Sequence, residues 1–349
     1  VGRARLRNQR VDAADDPADL AAWAAVREHP IAHLEGEISN GDQVVVGFRR
    51  EANHVVELQV FNAVREDQIR SIEDFVGPKE DLALRQVPVE CFAGFIFLNP
   101  DPNAAPLAEF LGEAIDLLSP YRVEEMVPVG INVRESLECN WKVVMDAFQE
   151  GYHIQGVHPE LMSVTDASKE RYRFFGDHSV GTAPFGASNL AEFGPDKQVE
   201  SVRSMTQTFP AVAEALPRFE ELVNAYRSKD GTLSFPEGVS GRMLLQQATR
   251  DSWTRKGLDV SGLTDIQMSD NHFYLLFPNF FTTIRAGEAT VITAVPHPDG
   301  DPNKCIWHVM MLQWLPPEQR AQQRAELLEV KKPDHFKYYF FNCKVSQNR

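Results

Sequence analysis

Two histidines and a glutamate between positions 150 and 158 have the types and spacing of a metal site. The segment reads Glu150-Gly-Tyr-His153-Ile-Gln-Gly-Val-His158. Imidazole nitrogens suit iron and zinc, and two histidines with one carboxylate leave open positions on Fe(II) for O2 and a substrate. The segment therefore predicts a mononuclear non-haem iron centre.

The spacing of the two histidines requires a break in the helix that carries them. Residues five apart lie about 140° apart around an ideal helix, so both rings reach one metal only if the helix ends or bulges between them. Gly156 and Pro159 allow such a break, and π-bulges are frequent at functional sites. In isolation, the spacing is a weak signal and favours a helix with one surface histidine and one capping histidine.

Two domains are expected around this segment, with a boundary near Tyr121. The first (1–120) should hold a short helix at 16–26, followed by strands at 43–48, 55–61 and 94–98, because these stretches are rich in β-branched and aromatic residues. A helix at 107–118 should close it. The expected elements of the second domain (121–349) are a strand at 127–133, a helix at 140–153, an irregular stretch at 171–197, a helix at 209–226, antiparallel strands at 271–285, 289–295 and 305–315, and a helix at 318–330.

Charge and composition exclude several classes of protein. The net charge is −15, from 50 acidic and 35 basic side chains, so nucleic acid is not an expected partner. No apolar run reaches the roughly 20 residues that span a membrane, and no apolar segment follows the basic N-terminus as in a signal peptide. The four cysteines are far apart in the sequence. We therefore expect a cytoplasmic protein. Because the sequence lacks an initial Met, we expect it to be trimmed or incomplete at its N-terminus.

The neighbours of the two histidines resemble a known family. Asn140-Trp-Lys, followed by Glu-Gly-Tyr-His-x4-His-Pro-Glu-Leu, is similar to the catalytic domain of Rieske-type non-haem iron oxygenases. That family includes ring-hydroxylating dioxygenase α subunits and related monooxygenases and demethylases. Segments 93–102, 105–112 and Leu276-Phe-Pro-Asn279 agree with it, and the resemblance covers roughly residues 30 to 330.

The resemblance implies a role for each site residue. His153 and His158 would be iron ligands, and Glu150 would link an iron-ligand histidine to the cluster histidine of the next subunit. The third ligand of the family is an aspartate on a late helix. The expected position, 342–345, reads Asn-Cys-Lys-Val, so Asp334 is only the nearest candidate. Tyr152 is expected to be a core aromatic.

The resemblance fails where the family binds its [2Fe–2S] cluster. The family holds this cluster with a Cys-x-His and a Cys-x2-His pair, and this pair of motifs does not occur here. The flanking sequences are present, and several dozen residues are missing at the Val64/Arg65 junction. Either the printed chain joins segments of a longer protein, or the protein has lost its cluster. Coding DNA that runs uninterrupted across the junction would exclude the first explanation.

The fold implied by the resemblance is α+β: a small antiparallel β Rieske-like domain and a helix-grip catalytic domain with an antiparallel sheet and helices. The implied activity is O2-dependent hydroxylation, dihydroxylation or oxidative demethylation of a small organic substrate, aromatic or polycyclic in the first instance. Electrons would come from NAD(P)H through a reductase, with or without a ferredoxin, to the cluster and then to Fe(II). The assembly would be a homotrimer, with or without a β subunit.

Six apolar residues are candidates to line the cavity, although half of each alternating set should be core: Phe273, Leu275, Phe277, Phe281, Val309 and Met311.

Two other functions remain open from the residues. One is a ligand-binding protein without catalytic activity on the helix-grip scaffold. The other is a zinc hydrolase that uses His153, His158 and Glu150, although no HExxH pattern supports it. Analysis for iron, zinc and acid-labile sulfide distinguishes the three.

Overall fold

The structure is a computed structural model, and a large sheet dominates it. It describes residues 87–158, 167–184, 193–206 and 209–320 in full, and only the backbone of the strands at 24–27, 33–37, 43–51, 54–63 and 328–330. The eight-stranded sheet has the order β14-β7-β13-β12-β11-β10-β9-β8 and is antiparallel except where β14 pairs with β7. Its strands are β7 (Met126–Leu137), β8 (Arg171–Phe175), β9 (His178–Ala183), β10 (Asn271–Leu276), β11 (Phe280–Arg285), β12 (Glu288–Pro296), β13 (Cys305–Trp314) and β14 (Leu328–Val330).

Two small antiparallel sheets precede the large one in sequence. One has the order β2-β3-β4 and the other the order β1-β6-β5. The strands are β1 (Ala24–Arg27), β2 (His33–Glu37), β3 (Gln43–Glu51), β4 (His54–Ala63), β5 (Val89–Phe92) and β6 (Phe95–Leu98). The strands predicted at 43–48, 55–61 and 94–98 are confirmed as β3, β4 and β6.

Nine α-helices occur in the part of the chain that the structure describes. They are α1 (Leu107–Leu111), α2 (Glu113–Leu118), α3 (Trp141–Phe148), α4 (Tyr152–Val157), α5 (Pro195–Met205), α6 (Pro210–Asn224), α7 (Gly241–Lys256), α8 (Asp265–Ser269) and α9 (Pro317–Arg320). Among these residues, no helix combines the length and apolar character needed to cross a lipid bilayer.

The large sheet separates two hydrophobic cores because successive side chains of a strand point to opposite faces. On β10, Tyr274 and Leu276 belong to one core, which also holds Phe95 and Leu107. Phe273 belongs to the other, with helices α3, α5, α6 and α7. The first core contains residues from both sides of Tyr121, and the division of the chain at that residue stays a prediction.

The six cavity candidates do not share one environment. Phe273, Phe281 and Val309 are buried in the second core, and Leu275 packs against it, whereas Phe277 is 42% exposed. A small apolar pocket lies on the opposite face, where Phe95, Leu276 and Phe280 are among its walls, and none of the six candidates lines it.

Six predicted elements need correction. The helix at 140–153 is interrupted at 149–151, and the strand at 271–285 is interrupted at 277–279. Residues 24–26, predicted as helix, lie in strand β1, and residues 16–23 lie outside the described part. The helix at 107–118 is divided at Gly112, which has a φ of 49°. Residues 171–197 were expected to be irregular, but the described part of this range forms β8, β9 and the start of α5. Of the helix predicted at 318–330, residues 318–320 lie in α9, Leu328–Val330 is a strand, and residues 321–327 lie outside the described part.

One glycine on β9 allows a close approach within the sheet. A Cβ at Gly181 would overlap the aromatic ring of Phe273 on the neighbouring strand. Because glycine lacks this atom, the Phe273 ring lies across β9 and contacts Tyr172 on β8, with a ring-centroid distance of 5.6 Å. This packing connects β10 to the edge strand beside the predicted site.

Candidate metal centre

Helix α4 carries the predicted site, and it begins and ends abruptly. Helix α3 ends at Phe148, and α4 starts three residues after Gln149. The last helical residue is Val157, so His158 is the C-cap, with φ −124° and ψ 56°. The expected break between the two histidines is therefore a helix end, and it brings their ring centroids to 5.4 Å.

Glu150 contacts both the ring of His153 and the start of α4. Its Oε1 lies 2.7 Å from His153 Nδ1. Its Oε2 accepts the backbone N–H of His153 at 3.1 Å and also that of Tyr152. With Nδ1 donating to the carboxylate, the Nε2 of His153 is the ring nitrogen that can bind a metal.

The protonation of Glu150 follows from these hydrogen bonds. Desolvation alone would raise its pKa, but the His153 side chain and the two backbone N–H donors together lower it. The carboxylate is therefore ionised at neutral pH and can accept a hydrogen bond from the imidazole N–H.

The two histidines predicted to bind iron would supply only part of a ligand set. Imidazole nitrogens are suitable ligands for Fe(II), and a third ligand, a carboxylate oxygen, would complete the set. Among the described residues, no three His, Cys, Asp or Glu side chains are grouped to hold a metal ion. Asp334 lies outside the described residues, so its role, like those of His153, His158 and Glu150, stays a prediction.

Two residues near the site were missed by the sequence analysis. The Tyr172 hydroxyl accepts the backbone N–H of Gly151 at 3.1 Å and donates to the Glu170 carboxylate. Desolvation, followed by the Glu170 hydrogen bond and charge, raises the pKa of Tyr172 well above its usual value. The signal was present, since Arg171-Tyr-Arg-Phe-Phe and the Gly176-Asp177 turn have the pattern of a hairpin.

Two further residues, Tyr152 and His178, have environments that bear on their roles. Tyr152 is 89% exposed, so the expectation that it is a core aromatic was wrong. His178 is buried, with Nε2 2.9 Å from the Phe110 carbonyl and Nδ1 accepting the N–H of Phe277 at 3.1 Å. Both ring nitrogens of His178 are thus used by the backbone, which makes it a structural residue.

Comparison with known proteins identifies the family. Residues 120–332 match the family model described as ring hydroxylating alpha subunit (catalytic domain). The chain belongs to this family. The matched region is more than half of the chain and includes α4, so the family predicted from the sequence is confirmed.

Curated relatives match over short segments. The chain is 32% identical over 84 residues to the oxygenase subunit of a glycine betaine monooxygenase from Pseudomonas aeruginosa, covering 24% of this chain and 19% of the relative. It is 32% identical over 115 residues to the oxygenase subunit of a carnitine monooxygenase from Acinetobacter pittii, covering 33% of this chain and 30% of the relative. The chain thus aligns with less than a third of the length of either relative.

A solved structure shows the same fold. A crystal structure of the quaternary ammonium Rieske monooxygenase CntA matches 94% of this chain and 75% of its own, with a TM-score of 0.51 and 12% identity. This likeness confirms the predicted α+β class with a Rieske-like β part and a helix-grip catalytic part. At this identity it bears on fold alone.

Proposed function

We propose that this chain is the catalytic component of an O2-dependent oxygenase that acts at a mononuclear Fe(II). The observation that carries the proposal is the Glu150–His153–His158 arrangement on α4, within the region that matches the family's catalytic domain. His153 and His158 would hold the iron, and Asp334 is the candidate for the third ligand.

The residues of this chain prepare the site in two ways. Glu150 fixes the ring of His153 through Nδ1, which directs Nε2 away from the carboxylate. Tyr172 and Glu170 hold the Gly151 turn from which α4 starts. When bound, Fe(II) supplies the capacity to activate O2 for hydroxylation, dihydroxylation or oxidative demethylation.

The supply of electrons is proposed from the family. NAD(P)H, a reductase and a ferredoxin are the expected partners, and the subunits are expected to form a trimer. The side chain of Glu150 is 34% exposed and Tyr152 is 89% exposed, which supports an approach of the electron donor to this face. The four cysteines of the chain do not fit a Rieske cluster, because none is in a Cys-x-His motif and the one Cys-x2-His sequence, Cys305-Ile-Trp-His308, lies within strand β13, where the two side chains point to opposite faces.

The substrate is proposed as a small organic molecule. The curated relatives named for glycine betaine and carnitine make quaternary ammonium compounds the first class to test. Aromatic and polycyclic compounds, expected from the sequence, are the second. Oxygen uptake with each class, in the presence of a reductase, distinguishes them.

Metal analysis of anaerobically purified protein tests the proposal. We expect about one iron per chain, and its loss in His153→Ala and His158→Ala. His297→Ala is the matched control, since this histidine pairs with Asp299 on the β12–β13 loop and should leave the iron content unchanged. Stoichiometric zinc would support the hydrolase, and absence of any metal would support the ligand-binding protein; either result would defeat the oxygenase proposal.

A further inference from the structure

Two cysteines that are distant in sequence meet at the start of α3. The Sγ atoms of Cys139 and Cys305 are 4.0 Å apart, although 166 positions separate the residues. Cys139 lies between the end of β7 at Leu137 and the start of α3 at Trp141. Cys305 is the first residue of β13, where it pairs with Leu137. The fold, not the local sequence, creates this thiol pair.

The two thiols differ in their access to solvent. Cys139 is half-buried, whereas Cys305 is fully buried. Burial, followed by the charge and hydrogen bond of Cys139, raises the pKa of Cys305 to about 12. Because the thiolate is the reactive form and an oxidant must reach it, Cys139 is the sulfur that reacts first.

The geometry permits a bond between the two sulfurs. A disulfide has a sulfur–sulfur distance of about 2.05 Å, so the pair must close by about 2 Å. Cys305 is held in the β12–β13–β7 ladder. Cys139 lies outside the regular strand, in the connection between β7 and α3. Cys91 is exposed and provides an internal comparison.

We propose that Cys139 and Cys305 form a modification site that closes to a reversible disulfide in the presence of hydrogen peroxide. The Cys139 thiolate attacks one peroxide oxygen, the O–O bond breaks, and a sulfenic acid and hydroxide form. The Cys305 sulfur, on losing its proton to that hydroxide, then attacks the sulfenic sulfur; the S–O bond breaks and releases a second hydroxide, which takes up the proton first lost by the Cys139 thiol. The balance is two thiols and one hydrogen peroxide to one disulfide and two waters.

The disulfide would strengthen a junction that already exists. The Asn140 side chain caps α3 by accepting the N–H of Lys142 at 3.0 Å, and it donates to the Pro302 carbonyl at 2.8 Å. A covalent bond one residue away would tie the same helix start to β13. Because it closes a long loop, it restricts the unfolded chain and raises the unfolding temperature.

Peptide mapping after peroxide treatment tests this proposal. In wild-type protein we expect a linked peptide pair that contains Cys139 and Cys305, a higher unfolding temperature, and reversal of both by dithiothreitol. Cys139→Ser should abolish the link and the temperature shift. Cys91→Ser is the matched control and should behave as wild type.

Three results would overturn the proposal. The first is overoxidation of Cys139 with Cys305 still a free thiol. The second is a link from Cys139 to Cys91 or Cys343 in place of Cys305. The third is a wild-type protein in which neither cysteine reacts while Cys91 does. Because Cys139 is only half-buried, its serine variant should fold, and the test does not depend on altering the buried Cys305.

Discussion

At the scale of single residues, Glu150 combines two functions that are usually separate. One carboxylate oxygen holds the His153 ring, and the other accepts the N–H groups at the start of α4. A carboxylate at a helix N-terminus is also favoured by the helix dipole. The helix that carries both histidines is thus positioned by the residue that orients one of them.

Glu150→Gln should separate these functions. The amide oxygen can still accept the backbone N–H groups, but the neutral side chain holds the His153 ring less strongly. We expect affinity for Fe(II) to fall by about 10- to 100-fold, with little change in helical content. Calorimetric titration with Fe(II) measures the affinity, and circular dichroism measures the helical content. Glu109→Gln, at an exposed position on α1, is the control, and an equal loss there would refute the role of Glu150.

Tyr172→Phe tests the support of the Gly151 turn. The change removes a hydroxyl that accepts from Gly151 and donates to Glu170, while the ring contact with Phe273 remains. We expect a loss of stability of about 1 kcal/mol and a several-fold weaker metal affinity. Tyr152→Phe, which alters an exposed ring on α4 itself, should change neither. Unaltered metal binding in Tyr172→Phe would show that the turn does not need this support.

At the scale of elements, strands with clear alternation were predictable, whereas only some breaks in the helices were. The late strands and α6 follow their hydrophobic patterns, and the meeting of His153 and His158 was correctly tied to a helix end. Gly112 interrupts a run of continuous helical spacing, which a pattern alone does not reveal. Strand β8 was missed because its residues are largely exposed and so lack the buried alternation of a core strand. The glycine-rich sequence around it favoured the prediction of an irregular segment. The third metal ligand could not be assigned, because no carboxylate stands where the family has one.

The turn between β11 and β12 contains a buried ion pair. Arg285 Nε and Glu288 Oε1 are 3.0 Å apart, and their side chains are 4% and 10% exposed. Glu288 also accepts the N–H of Ala211 at 2.6 Å, at the start of α6. Burial raises the pKa of Glu288, while Arg285 and the Ala211 hydrogen bond oppose this rise. The pair connects the sheet to the helix layer.

Glu288→Gln should therefore lower the free energy of unfolding substantially. It leaves the Arg285 charge buried without its carboxylate, and such a loss costs about 3–5 kcal/mol. Glu113→Gln is the matched control, because it breaks the exposed Arg173–Glu113 pair, and exposed pairs contribute little. Urea unfolding of the three proteins gives the comparison. Equal midpoints for the two variants would contradict the structural role of the buried pair.

At the scale of the whole molecule, one sheet supports two hydrophobic cores. Buried titratable groups on this sheet make the stability of the folded protein depend on pH. His272 on β10 is 9% exposed. Desolvation lowers its pKa to about 4; Asp270 opposes this shift, whereas Arg285 and Arg242 add to it. In the unfolded chain the pKa of a histidine is about 6.5. Between these two values the unfolded state binds more protons than the folded state.

The stability of the whole protein should therefore fall as pH decreases from about 6.5 to about 4. This histidine accounts for a loss of roughly 3 kcal/mol across that window and for none above it. His178, whose pKa is also lowered by burial, adds to the loss. His272→Phe should flatten the dependence, as measured by urea unfolding at a series of pH values, whereas His297→Ala should have far less effect. If the free energy of unfolding of His272→Phe falls with decreasing pH as steeply as that of the wild-type protein, this account is contradicted.

The approach of Phe273 to Gly181 has a consequence for how related sequences can differ. A side chain at 181 would occupy the space of the ring at 273, so neither position can change freely by itself. In a set of related sequences, a residue larger than glycine at 181 should occur together with a smaller residue at 273. The two positions, 92 residues apart, should thus vary as a pair, and their joint variation would report this sheet contact from sequences alone.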